Sequence, residues 1–260
     1  MTLYGGIDLH SNNMVTVLID EEQNIINQTS LNNDSDRLLH WLEPYYSQIN
    51  SLAVESTFNW YWLVDRLQQA NYPVKLAHPL AMDQYRGLKH TNDHTDAFWL
   101  AQQLRLGILP EGYICPREQR GLRELMRTRM KVKQRHIQLL NQLKSAIHRY
   151  SSYRLTVNRL SWLTSSELAA YLPDDYSAES CRSFHRQMVE HANELKSLES
   201  QAKQALKKDD QFQRLLSVPG VGDILALVIR LETGSISRFP NAGHYSSYCR
   251  CVKSDKFSNG

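Results

Sequence analysis

No run of apolar residues in this chain approaches the roughly 20 that cross a bilayer, and its first residues, MTLYGGIDLH, lack the basic and apolar regions of a signal peptide. A membrane span is excluded as a reading, and the chain is expected to be cytoplasmic. Cysteine is scarce. Cys115, Cys181, Cys249 and Cys251 are spaced too irregularly for a disulfide framework, and Cys249 and Cys251 have no second pair at zinc-ribbon spacing. They read as ordinary reduced thiols. From Arg117 to Arg154 acids are nearly missing, two against eleven Lys/Arg, and within that stretch no glycine follows Gly121. Nothing there breaks a helix, and little offsets its positive charge.

The 260 residues carry a net charge of +3, but the sign is unevenly distributed. Residues 1–100 hold 5 Lys/Arg against 12 Asp/Glu, and the remainder holds 25 against 15. An acidic part beside a basic part suits a metal-bearing domain joined to a polyanion-binding one. The length allows both.

Leu3 to Leu9 and Met14 to Asp20 are apolar or β-branched runs flanking the polar turn His10-Ser11-Asn12-Asn13, which predicts a hairpin, and Asn24 to Leu31 makes a third strand. Asp34-Ser35-Asp36 then precedes an amphipathic helix bearing Leu38, Leu39, Trp41 and Leu42. Ser51 to Glu55 reads as a buried strand, Asn59 to Ala70 as a helix and Pro73 to Ala77 as a strand. A short helical segment leads to a last helix within Lys89 to Arg105. Three hairpin-linked strands followed by alternating units predict an α/β fold with one mixed sheet and helices on its faces, the layout of an RNase H-like domain.

Four carboxylates fall at positions of interest in that layout. Asp8 lies at the end of the first strand and Glu55 ends the fourth. Asp93 and Asp96 open the last helix, whose other face carries Ala97, Leu100, Ala101 and Leu104. Such positions converge at one edge of a sheet, and two hard cations roughly 4 Å apart at a phosphodiester need several oxygen ligands. The plain alternative is that Asp93 caps its helix and Asp96 favours the positive helix end. A zinc site on His90 and His94 lacks an obvious third ligand.

The segments GIDLHSNN, VEST and KHTNDHTDAFWLAQQL resemble the acidic motifs of DEDD-type transposases and invertases, the insertion-sequence family one-ten. LLSVPGVGDILALVIRLETGSISRFPNAGHYSSYCRC is similar to the start of that family's C-terminal domain. The resemblance implies a RuvC-like N-terminal domain in which Asp8, Glu55, Asp93 and Asp96 bind Mg2+, with two metals, and a serine that attacks DNA. Ser258 is the best match to that serine and Ser254 the second. It further implies DNA recombination guided by an RNA, in a homo-oligomer sharing active sites. The family's domain continues beyond the position matching Gly260, so the C-terminal domain reads as incomplete.

The basic stretch predicts one long helix, with Leu122, Leu125, Val132, Leu139 and Leu143 at heptad-like spacing interrupted by Arg129 and His136. Dimerisation or nucleic-acid contact is the reading of that interruption. A second periodic run, Met188, Leu195, Leu198, Ala202 and Leu206, suits an antiparallel partner. Candidate nucleic-acid contacts are Arg117, Arg120, Arg123, Arg127, Lys131 and Arg135. Gly220 and Gly222 join them, in a segment resembling half of a helix-hairpin-helix, where backbone N–H groups can face a phosphate. The expected organisation is a RuvC-like domain over 1–110, a helical connector over 111–208 and the start of a transposase domain over 209–260. Two other functions stay open: a metal-dependent structure-selective nuclease using water, and a non-catalytic nucleic-acid-binding remnant.

Overall fold

The polar turn at His10 to Asn12 joins two strands, Leu3–Leu9 (β1) and Asn13–Ile19 (β2), paired antiparallel from Tyr4 opposite Ile19 to Leu9 opposite Met14. The computed structural model describes residues 1–82, 92–207 and 209–251. Ile25–Asn32 (β3) continues the antiparallel run on β2. Asp34 accepts from the N–H groups of Asp36 and Arg37 and so starts helix Ser35–Leu42 (α1), after which Ile49–Glu55 (β4) returns parallel to β1. Helix Tyr61–Gln69 (α2) leads to Val74–Ala77 (β5), parallel to β4. A single turn, Pro79–Met82 (α3), precedes the next described helix, Asp93–Arg105 (α4). A two-residue strand, Glu111–Gly112 (β6), which the sequence pattern does not signal, adds antiparallel to β5. The order β3-β2-β1-β4-β5-β6 is that of an RNase H-like sheet with an extra edge strand.

Alternation along the strands explains why both faces are covered. Leu3, Ile7 and Leu9 of β1, with Leu52 and Val54 of β4, pack on Leu38 and Leu42 of α1 and on Leu63, Val64 and Leu67 of α2. Val15, Val17 and Ile19 meet Ala97 and Ala101 of α4 on the opposite face, and Ala53 and Ala77 meet Leu100 and Leu104. Burying Leu100 and Leu104 contributes roughly 1.5–3 kcal/mol each. The small residues do something else: they let α4 lie close to the strands.

Gly6 is the limiting contact. A methyl group at Gly6 would collide with the carbonyl oxygen of Ala97 and crowd the backbone nitrogen of Ala101 at 2.7 Å. Backbone cannot turn aside as a side chain can, so α4 would have to lift from the sheet. At Gly5 an added methyl meets only the side-chain methyls of Leu52 and Leu18. Gly6→Ala is therefore expected to destabilise the protein by at least the roughly 1–3 kcal/mol typical of overpacking. Gly5→Ala should cost less. Urea denaturation of the two variants checks this, and equal losses would show that the α4 backbone is not what limits position 6.

The chain divides between Cys115 and Pro116 into two compact units. In the second, the basic stretch forms one helix, Arg117–Tyr150 (α5), ending four residues before the predicted Arg154. Two short helices follow, Val157–Trp162 (α6) and Ser165–Ala169 (α7), the latter opened by a capping box of Thr164 and Glu167. Helix Asp175–Leu206 (α8) buries Cys181, Met188, Leu195 and Ala202, each seven residues from the next. It packs antiparallel on α5: Met126 shares a cluster with Ala202, while Leu143 and Ile147 share one with Cys181 and Met188.

This partner accounts for the interrupted seam. Arg129 donates from Nε and Nη2 to Glu199 Oε1 at 2.9 and 2.7 Å, and His136 Nδ1 lies 3.0 Å from the Met188 carbonyl oxygen. Both polar positions are satisfied within the chain, not by dimerisation or nucleic acid as the sequence suggests. Helices Asp210–Leu216 (α9), Asp223–Thr233 (α10) and Ala242–Tyr248 (α11) complete the unit.

Candidate functional site

The alternation that buries Leu9 on one face turns Asp8 and His10 to the other, beneath the first turn of α4. Asp8 is 3 % exposed. Its Oδ2 lies 3.2 Å from His10 Nε2, which is in turn 3.4 Å from Asp93 Oδ2. One ligand atom from each of Asp8, His10 and Asp93 falls within 4.8 Å of the others. Glu55 ends the neighbouring parallel strand one position beyond Val54, the partner of Ile7, and it is within hydrogen-bonding reach of Asp8. Asp96 stands one turn along from Asp93 and adds its charge to the same place. The structure thus brings Asp8, Glu55, Asp93 and Asp96 to one edge of the sheet.

Asp93 does not cap its helix. Asn92 does: its Oδ1 accepts from the Thr95 backbone N–H and hydroxyl, both at 2.8 Å. The cap leaves the Asp93 carboxylate to face His10, and the plain reading of this residue fails. His10 is also held through its backbone, because its carbonyl oxygen accepts from Asn33 Nδ2 and Asn59 Nδ2, each at 3.0 Å. Thr57 donates to Asn59 at 2.8 Å, so the loop after Glu55 is tied to the turn after Asp8.

Burial is the chief cause raising the Asp8 carboxyl, followed by the hydrogen bond and charge of Glu55 and by the charge of Asp96, with His10 pulling the other way. The outcome is a pKa pushed up to about 7. A buried carboxylate among carboxylates is costly to ionise, and a bound cation removes that cost. The fit to a hard divalent cation is favourable on two observations. Asp8 Oδ2 is buried without an aligned hydrogen-bond donor, and the surrounding donor set is mainly carboxylate oxygen with a single imidazole. His10 was not among the candidates read from the sequence. The signal was there in GIDLH, since residues i and i+2 of an extended strand share a face. His94, by contrast, is exposed and outside this group, and His90 lies outside the described residues.

A sheet of this order with acids gathered at this edge defines an RNase H-like domain with a candidate metal centre. The family model described as transposase, of the DEDD type of IS110, matches residues 5–152 and therefore includes every one of these acids. The model described as transposase of the IS116/IS110/IS902 family matches residues 212–260. The chain belongs to this transposase family. No curated protein matches the chain.

The second unit disposes the predicted nucleic-acid residues unequally. Arg120 and Arg123 are buried. Arg123 donates to Glu232 Oε2 from Nε and Nη2 at 2.9 and 2.6 Å, and Arg127 engages both oxygens of the same carboxylate at 2.7 and 2.9 Å. Arg117, Lys131 and Arg135 are exposed. Gly220 has φ +85°, the left-handed backbone that favours glycine, and Gly222 precedes the first turn of α10. Asp223 in that turn pairs with Lys203 at 2.6 Å. Ser254 and Ser258 lie outside the described residues. No described helix is long and apolar enough to cross a membrane.

Two outcomes follow from these placements. In the metal-free protein the folded state binds the Asp8 proton more tightly than the unfolded chain does, whose carboxyl keeps the ordinary value of 3.8. Stability present below pH 4 is thus lost as pH rises towards about 7. Asp8→Asn should remove that decline and raise stability at pH 8 above that of the wild type. Thermal melts with chelator across pH 4–8 test it, and parallel profiles for both proteins would refute it. In the second unit, Glu232→Gln leaves the buried Arg123 without its anion and should cost about 2 kcal/mol in denaturant unfolding, while Lys131→Glu with Arg135→Glu should leave stability unchanged.

Proposed function

We propose that the chain is a DNA transposase that cleaves and rejoins phosphodiesters with magnesium held by Asp8, Glu55, Asp93 and Asp96. The observation that carries this reading is the meeting of those four acids at one sheet edge in a member of a transposase family. Bound there, the cations supply Lewis-acid stabilisation of the attacking and leaving oxygens of the phosphodiester. The protein's own task is positioning. β1 and β4 fix Asp8 and Glu55 side by side, and the closeness of α4 at Gly6 brings Asp93 and Asp96 over them. His10 sets a nitrogen between Asp8 and Asp93, its carbonyl pinned by two asparagines.

The nucleophile in this reading is the hydroxyl of Ser258, with Ser254 second. The serine oxygen bonds to phosphorus as the bond to a DNA oxygen breaks, the hydroxyl gives up its proton and the departing oxygen gains one, joining protein to one end of the break. The enzyme works as a homo-oligomer and is directed by an RNA that pairs with its DNA sites, with Lys131 and Arg135 among the residues meeting the phosphate backbone. Family membership supports these assignments.

The test is magnesium-dependent cleavage of DNA carrying the element's ends, with the cognate RNA present. Asp93→Asn is expected to reduce the rate by at least 10³-fold, about 4 kcal/mol of transition-state stabilisation, with native-like melting. Protein trapped on one DNA end, lost in Ser258→Ala or Ser254→Ala, identifies the recombinase. Free ends on both sides would mean a nuclease using water, and no magnesium-dependent cleavage at all would mean a nucleic-acid-binding protein without catalysis.

A further inference from the structure

We propose that the end of the helical hairpin, where α5 turns towards α6, binds an unpaired nucleotide of a nucleic-acid strand. The proposal rests on the reading that the chain acts on nucleic acid and adds where, and in what form, a strand is held. Lys144, Ile147, His148, Tyr153, Arg154 and Leu155 line a cavity of about 340 Å³ at this place, within the range of small-ligand sites.

The charges here differ from those nearer the start of α5. Arg123, Arg127 and Arg129 are held by Glu232 or Glu199. Lys144, His148 and Arg154 form no salt bridge with an acid among the described residues. Three cationic or protonatable side chains line one cavity, and two of them, His148 and Arg154, are exposed. Tyr153 supplies the second ingredient. Its side chain is 64 % exposed, yet the ring is steadied by a T-shaped contact with Tyr171, centroids 5.5 Å apart and planes at 77°.

Cations beside an oriented, exposed aromatic ring are what unpaired nucleotides require: the cations meet the phosphate and the ring meets the face of the base. Bases inside a duplex cannot use the ring, because they are already stacked on one another. A partner protein recognised through acidic side chains would need the cations alone. A flat base also accounts for the tyrosine and for the apolar walls, Ile147 and Leu155. Arg149, exposed at the same helix end and likewise without a salt bridge among the described residues, extends the positive surface beyond the cavity, which suits a strand more than a lone nucleotide.

The experiment measures fluorescence anisotropy of short labelled single strands, RNA and DNA separately, and of a blunt duplex of the same sequence, on the full chain without magnesium. Either single strand should bind more tightly than the duplex. Tyr153→Ala should weaken that binding about tenfold, a size within the range of one lost base–aromatic stack, and leave duplex binding unchanged. Tyr153→Phe should restore it, and Arg154→Gln should reduce the salt dependence by about one phosphate contact. Unchanged affinity in Tyr153→Ala, or an equal loss on duplex, overturns the proposal. So does competition by a free mononucleotide at concentrations similar to the strand's, which would make this a nucleotide site. The variants are surface changes, and melts matching the wild type show that folding is not the cause. Because binding is read without magnesium, a wild-type chain that fails to cleave counts against the transposase reading alone.

Discussion

The contact between Gly6 and the backbone of α4 is the constraint from which the candidate metal centre follows. Helices usually stand off a sheet by the length of their side chains, and at that distance acids on α4 and on β1 would occupy separate regions of solvent. Here the strand offers a hydrogen atom at Gly6, and the helix offers Ala97 and Ala101. The first turn of α4 is therefore lowered onto the end of β1. Asp93 reaches the imidazole that Asp8 also touches. The sequence feature that decides the site is thus the absence of a side chain two residues before Asp8.

Bringing four carboxylates together works against folding, and the local structure shows how the cost is contained. Asp8, the most buried of them, is pushed towards its neutral form. His10 supplies an imidazole between two of the acids, and Asn92 takes over helix capping so that Asp93 need not. The asparagines at 33 and 59 donate to the His10 carbonyl, which fixes the turn without adding charge. Such an arrangement is poor as a stabilising device and sensible as a cation site, where function is set against stability.

Most of the first unit was legible because its strands and helices are short, strongly patterned and separated by polar turns. The strands at Leu3, Ser51 and Pro73 and the helix ending at Arg105 were recovered with small shifts at their ends. The placement of Asp8 and Glu55 at strand ends and of Asp93 and Asp96 at a helix start was legible too, because these are topological positions that periodicity reveals. His10 was not legible for the opposite reason. It lies in a turn, where residues are read as connectors, although its i, i+2 relation to Asp8 was available. The two-residue β6 was illegible because it has no pattern of its own and exists only where β5 offers an edge.

Charge was the least readable property. Eleven basic residues against two acids suggested a helix surface open to polyanions along its length, yet the acids that answer those arginines come from distant parts of the chain. Glu199 lies 70 residues beyond Arg129, and Glu232 lies 109 beyond Arg123. A window of sequence cannot count them. Arginine is suited to such roles because its planar fork takes a carboxylate in two hydrogen bonds while its stem packs among apolar neighbours. The same residue type that marks nucleic-acid contacts therefore also joins helices. What separates the two uses is not the number of cations but which of them meet an acid within the fold. By that measure Lys131, Arg135, Arg149 and Arg154 are among the cations left exposed.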